Sequence, residues 1–233
     1  MRRIRTTLAI LFTGLLIAAG LAPAAQATTT TITLDGVRVA LLPGTRQVIT
    51  IRHTTGSYAR ATFWIQSSGH WIVNLRTSGA RIGSGGLVSG ATRRQGTNTT
   101  PTGSYAIPFG FGIDSVLGRT YPYHRVTSAD WWVEDNASIY YNRLRSSLSG
   151  FRWWLNPNTV NGSEHLIAYR VPYQLALVIG YNYAHPVRYR GAGIFLHVNG
   201  TGATDGCVST PRWFLYSTIQ RLRTTAQPVI AIG

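Results

Sequence analysis

Val48-Ile49-Thr50-Ile51, Ala61-Thr62-Phe63-Trp64-Ile65 and Trp71-Ile72-Val73-Asn74-Leu75 are three short runs separated by Thr54 to Ser57 and by Ser67-Ser68-Gly69. β-branched and aromatic residues that alternate with polar ones, broken by glycine and polar turns, are what a pleated surface requires, so these runs predict a strand meander. Outward from it the pattern stays extended. Tyr173 to Ile179 is nearly continuous in apolar residues and stops at Gly180, which predicts a strand buried on both faces. Helical signals are few. Leu215, Ile219 and Leu222 fall four and three apart, with Thr210 placed to cap and Pro211 at the first helical position, predicting a helix from about Pro211 to Leu222. Ala226 to Ile232 reads as a closing strand, and a shorter helical turn is expected near Ser138 to Leu144. The class is mainly β with a few short helices, and no composition break after residue 45 divides 45–233 into two domains.

The ends and the charge narrow the setting. Residues 1–27 read as a secretory signal: a basic start at Arg2, Arg3 and Arg5, an apolar run from Leu8 to Leu21, and the small-residue cleavage pattern Ala25-Gln26-Ala27. That run is too short and too interrupted to span a bilayer. Residues 28–44 read as a tether or edge strand. The 233-residue chain carries +15; the leader accounts for three of its 22 basic residues, which leaves 19 against seven acids, or +12. All 22 are arginine. The lack of lysine excludes Schiff-base chemistry, the phosphate-loop lysine and Ser-Lys transpeptidases. No Gly-x-Ser-x-Gly elbow exists, Gly83, Gly85 and Gly86 do not complete a dinucleotide fingerprint, and Glu164-His165 is not a zinc-protease helix. The histidines show no metal-ligand spacing, so no metal and no cofactor is assigned.

Gly79 to Gly103, rich in Gly, Ser, Thr and Arg, looks like a long loop of the functional kind. Trp131-Trp132 and Trp153-Trp154 could stack on sugar rings, but strand pairs with one ring buried and one on a sheet face explain them more simply. Cys207 is the only cysteine, so it is a buried small side chain, an intermolecular bridge or a reactive thiol.

The surroundings of Cys207 point to the thiol. Ile194-Phe195-Leu196-His197-Val198 alternates, setting Phe195 and His197 on the face opposite Ile194, Leu196 and Val198. Asn199 to Gly206 contains three glycines and must turn, which returns Cys207 towards His197. A helix N-terminus after Thr210 and a nearby imidazolium would each favour the thiolate. Gly206 permits close approach of a substrate, and backbone N–H groups at this turn are candidates for an oxyanion site. Asp205, two residues from the nucleophile, is expected to oppose the thiolate by its charge.

His197-Val198-Asn199-Gly200 followed by Thr204-Asp205-Gly206-Cys207-Val208-Ser209, with Thr100-Pro101-Thr102-Gly103 upstream, resembles the signature of the L,D-transpeptidase catalytic domain of the YkuD type. The resemblance spans about Gln47 to Gly233. It departs from the family pattern at Thr204, where serine is usual, at Asp205, where many members carry histidine, and at Ser209, where arginine often follows. The resemblance implies a β-sandwich of mixed sheets, with Cys207 as nucleophile, His197 as proton donor and acceptor, and Gly206, Asp205 and Thr204 around the oxyanion and substrate.

It further implies an exported enzyme of wall biogenesis, released at the cell wall or envelope exterior and touching the membrane only during export. Its partners would be peptidoglycan stem peptides, with anionic wall polymers suited to the positive charge and no nucleic acid. Cys207 would form a thioester with a tetrapeptide stem, resolved by a second stem's amine into a 3→3 cross-link or by water. A sortase-like enzyme would want a Thr-x-Thr-Cys strand, and papain-like enzymes place cysteine before histidine. The alternative from another class is a non-catalytic wall- or glycan-binding β-domain. A glycosidase would need two carboxylates, for which Asp130, Glu134 and Asp135 are available without a supporting motif.

Overall fold

A computed structural model describes residues 30–233; the leader expected over 1–27 lies outside the described residues. The chain opens with a hairpin, β1 (Thr30–Leu34) and β2 (Val37–Leu41), and continues into the meander β3 (Gln47–Thr55), β4 (Tyr58–Ser67) and β5 (His70–Arg81). Short strands follow: β6 (Leu87–Ser89), β7 (Thr100–Ala106), β8 (Gly110–Gly112), β9 (Tyr123–Arg125), β10 (Asp130–Val133), β11 (Arg143–Ser146) and β12 (Glu164–His165). The last part holds β13 (Ala176–Val178), β14 (Phe195–Val198), β15 (Val208–Thr210), helix α1 (Arg212–Arg221) and β16 (Val229–Ile232).

Eleven strands form one mixed sheet in the order β6-β7-β16-β3-β4-β5-β15-β14-β13-β8-β9, while β11-β10-β12 make a small second sheet. The fold is mainly β, with curled mixed sheets and few short helices, consistent with a β-sandwich-like architecture. The halves of the large sheet meet at one paired position, Ser209 opposite Arg81. So slight a join lets the two halves turn their apolar faces towards each other. Ile49, Ile51, Phe63, Leu177, Leu196 and Val208 then share one core with Phe214, Leu215 and Ile219 of α1.

The buried stretches of β3 and β13 cover both faces by alternation. Val48 packs with Leu34, Val37, Val39 and Trp64 in a second cluster, whereas its neighbour Ile49 faces the main core. Leu177 belongs to the main core, while Ala176 and Val178 face a third, aromatic cluster with Phe111, Trp132 and Phe195. Burying a side chain such as Val39 or Leu177 in this way is worth about 1.5–3 kcal/mol, which is why the register is so firmly set.

Several local expectations change. The described part of 28–44 is neither tether nor edge strand; it is a hairpin, because Leu34, Val37 and Val39 find apolar partners on the back of the meander. Thr210 does not cap α1. It ends β15, buried and extended, and Pro211 takes the N-cap place without any side-chain cap. The stretch Ser138 to Leu144 is a pair of turns leading into β11, since Asn142 sits at φ 58° and returns its N–H to Val133. Trp132 is buried and Trp131 lies flat on His165, as strand residues would; Trp153 and Trp154 instead sit in a loop and are exposed.

Candidate active site

Strands β14 and β15 run side by side in parallel, pairing Leu196 with Val208 and His197 with Ser209. By the same register Cys207, the residue before β15, lies opposite Phe195, and the Phe195 N–H donates to its Sγ at 3.3 Å. Side chains two apart on a strand share a face, so Cys207 projects on the face of Phe195 and His197. Neighbouring strands about 4.8 Å apart and a two-residue offset of about 6.6 Å put the two Cα atoms roughly 8 Å apart, within reach of a thiol and an imidazole. The glycine turn does what its composition required.

The two groups are neutral at rest. Burial pushes the Cys207 thiol up, with the Glu164 and Glu134 charges adding to it, and the Phe195 N–H bond and the Arg93 charge only partly offset this. The thiol proton rests on the Gly193 carbonyl, 3.2 Å away. Burial also holds His197 down to about 4, so its ring is uncharged near neutrality. A carbonyl can only accept, hence the 2.8 Å contact of Nδ1 with the Val198 oxygen puts the proton on Nδ1 and leaves the Nε2 lone pair free to act as a base. The expected helix-terminus effect is missing, because three extended residues of β15 carry the chain about 10 Å from Cys207 before α1 begins.

The turn is braced from upstream. Thr100 Oγ1 donates to the carbonyls of Gly206 at 2.9 Å and Cys207 at 3.1 Å, and accepts from the Gly83 N–H at 2.8 Å. Thr204, itself buried, donates to the Cys207 carbonyl at 2.6 Å and accepts from the Gly206 N–H at 3.3 Å. Gly206 stands at φ 122°, and a Cβ there would come within 2.7 Å of Arg93 Nη2 and 2.8 Å of the Thr99 carbonyl. What approaches this glycine in the structure is therefore the Arg93 loop. Residues 79–103 are only partly loop, since they supply the end of β5, all of β6 and the start of β7, yet they do build the wall of the site.

Cys207 stands where two cavities meet. The larger, about 620 Å³, is lined by Arg93, Gln95, Glu134, Glu164, Gly193 and Asp205 among others. The smaller, about 200 Å³, holds His197, Tyr173, Glu164, the Gly200 to Thr204 turn and Asp205. Asp205 lies at the exposed mouth of both. A third hollow of about 510 Å³, lined by Tyr105, Tyr181 and His185, contains neither Cys207 nor His197.

The carboxylate expected to oppose the thiolate was Asp205; in the structure Glu164 and Glu134 take that place. Trp132 of β10 pairs with Glu164 of β12, and Glu134 follows two residues later, so both carboxyls issue from one face of the small sheet. Desolvation raises both, Glu134 well above the ordinary range and Glu164 up to about 7. Tyr173, whose ring stands edge-on to His197, donates to Glu164 Oε2 at 2.5 Å. Arg93 is buried, donates Nε to the Thr99 carbonyl at 2.7 Å, and was hidden in the sequence among other loop arginines. No model of a known protein family matches the chain, and no curated protein matches it.

Proposed function

We propose that the chain is an exported cysteine acyltransferase of the L,D-transpeptidase kind, acting on peptidoglycan stem tetrapeptides. The observation that carries the reading is a lone thiol at the junction of two cavities, with a neutral histidine on the same face of the adjoining strand. Two cavities meeting at one sulfur suit a reaction in which a donor and an acceptor reach the same carbonyl in turn.

In the first step the Cys207 sulfur attacks the carbonyl of the third stem residue while His197 Nε2 takes the thiol proton. The C–N bond to terminal D-alanine breaks, the amine leaves with the proton returned by His197, and a thioester remains. A neutral resting pair suits this sequence, since no thiolate has to be kept buried between turnovers. In the second step an amine of another stem attacks the thioester to give a 3→3 cross-link, or water attacks and gives a tripeptide. Incubation of the mature protein with a purified disaccharide tetrapeptide, followed by mass spectrometry, should yield the thioester adduct with dimer or tripeptide. Cys207→Ala should abolish all three, and His197→Ala should slow acylation by about 10²–10⁴-fold.

A second reading, a non-catalytic glycan-binding domain, draws on Trp153 and Trp154, which are exposed with ring centroids 5.9 Å apart. Wall binding that survives Cys207→Ala, with no adduct on the wild-type protein, would favour it.

A further inference from the structure

We propose that Glu134 and Glu164, with Asp205 at the mouth, form the subsite that holds the attacking amine of the acceptor as its ammonium ion; this rests on the acyltransferase reading above. The chain has seven acidic residues, and the other four are all engaged by basic partners. Asp35 pairs with Arg60, Asp114 with Arg212 and Asp135 with Arg152, while Asp130 takes His124 and Thr127. Glu134, Glu164 and Asp205 pair with no cation among the described residues, and all three line the one cavity that also holds Cys207. In a chain of net charge +15 the carboxyls left without an ion-pair partner gather at one site, the one beside the thiol.

Glu134 is the sharper pointer. Its carboxyl is desolvated, makes no side-chain hydrogen bond among the described residues, and lies so close to Gly193 that Oε1 would be 2.1 Å from a Cβ there. The Gly193 carbonyl in turn accepts the Cys207 thiol, so this unpartnered oxygen and the nucleophile lie against the same residue. Withdrawing a carboxylate from water without a partner is costly, and a ligand bearing a hydrogen-bonding cation repays it. The cation fits an ammonium better than a metal ion, because no three His, Cys, Asp or Glu side chains among the described residues are grouped to hold one. Arg93, the only cation lining this cavity, has Nε and Nη1 committed to the carbonyls of Thr99 and Arg190; its charge favours the ionised Glu134, but it forms no ion pair with either carboxyl.

The step balances. An ammonium gives one proton to a carboxylate, leaving a free amine and a neutral acid. The amine nitrogen bonds to the thioester carbonyl, the C–S bond breaks, and a second proton passes from nitrogen through His197 to the departing sulfur. Amide, thiol and one proton on the glutamate result.

Two readouts test this. In the first, Cys207→Ala protein is titrated with Nα-acetyl-lysine amide and with its Nε-acetylated form, following the amide resonances of Gly193 and its neighbours. The ammonium probe should bind, the acetylated probe should not, and Glu134→Gln with Glu164→Gln should weaken binding at least tenfold; equal binding by the acetylated probe or by the double variant overturns the assignment. In the second, the ratio of cross-linked dimer to tripeptide is measured with Cys207 present. That ratio divides one thioester pool and so does not depend on how fast the pool forms. It should fall at least tenfold in Glu134→Gln, whose near-isosteric amide and a melting curve guard against misfolding. An unchanged ratio sinks the amine subsite and leaves the acyltransferase reading standing, whereas no thioester on the wild-type protein sinks the acyltransferase reading and leaves the titration to decide the ammonium site.

Discussion

At the scale of single residues the site is governed by what surrounds the thiol. Sequence spacing made Asp205 the natural opponent of the Cys207 thiolate, but a side chain at an exposed cavity mouth is screened by water. Glu164 is desolvated beside the sulfur and raises the thiol, second only to burial itself. Glu164→Gln should therefore lower the pH midpoint of Cys207 alkylation by iodoacetamide, and Asp205→Asn should move it less. Because burial remains, the midpoint in either variant should stay above the value of about 8.5 for a free thiol. A larger shift from Asp205→Asn would restore the spacing argument and displace Glu164. His197 follows the same rule, its charge suppressed by burial and its tautomer set by one backbone carbonyl.

Among the elements, the start of β7 and helix α1 make separable contributions. Thr100 Oγ1 serves one N–H and two carbonyls across the nucleophile turn, so Thr100→Val keeps the shape while leaving those groups unmatched. We expect a loss of about 1–3 kcal/mol in urea denaturation, together with a drop in acylation, since the carbonyl of Cys207 itself would lose an anchor. A Val variant that matches the wild type in stability would show the turn to be held by Thr204 alone. Helix α1 tests burial more directly. Phe214 is fully buried and Trp213 is 53 % exposed, although the two are neighbours of similar bulk. Phe214→Ala should cost about 3–5 kcal/mol and Trp213→Ala under about 1 kcal/mol; equal losses would mean that the helix is docked by its outer face.

For the whole molecule, stability against pH is set by a buried histidine and two buried carboxyls that pull in opposite directions. His197 takes up a proton less readily when folded, with its value lowered from 6.5 to about 4, so the stability present above pH 6.5 is lost as pH falls towards 4. Glu164 is raised from 4.5 to about 7, so its contribution is complete below pH 4.5 and is lost as pH climbs through 7. Glu134, raised by the same desolvation, adds to that loss, so between about 4.5 and 6.5 His197 offsets only one of the two carboxyls. The urea midpoint should be highest near pH 4.5 and decline on both sides, steepening on the acid side below 3.8 as the ion-paired Asp35 and Asp135 also protonate. Glu164→Gln should flatten the alkaline decline; a midpoint that rises steadily to pH 8 in the wild type would contradict the desolvated carboxyls.

What the sequence by itself determined was whatever depends on near neighbours. Period-two runs marked the meander, a nearly continuous apolar run marked the buried β13, and ten residues of strand and glycine turn brought His197 round to Cys207. A strand followed by a tight return has few geometries, so composition alone limits where its ends lie. The capping residue of α1 misled because Thr210, a good cap in isolation, gains more from burial at the end of β15. Only the tertiary structure decided that Glu134 and Glu164 face one cavity, since their meeting depends on the pairing of β10 with β12 across a stretch of irregular chain. The same holds for Arg93 against Gly206 and for Thr100 beneath the turn, which lie more than a hundred residues from the thiol. Charge states belong to this second class as well: desolvation, which raises the thiol and lowers the imidazole, is a property of the packed surroundings and leaves no mark in local sequence.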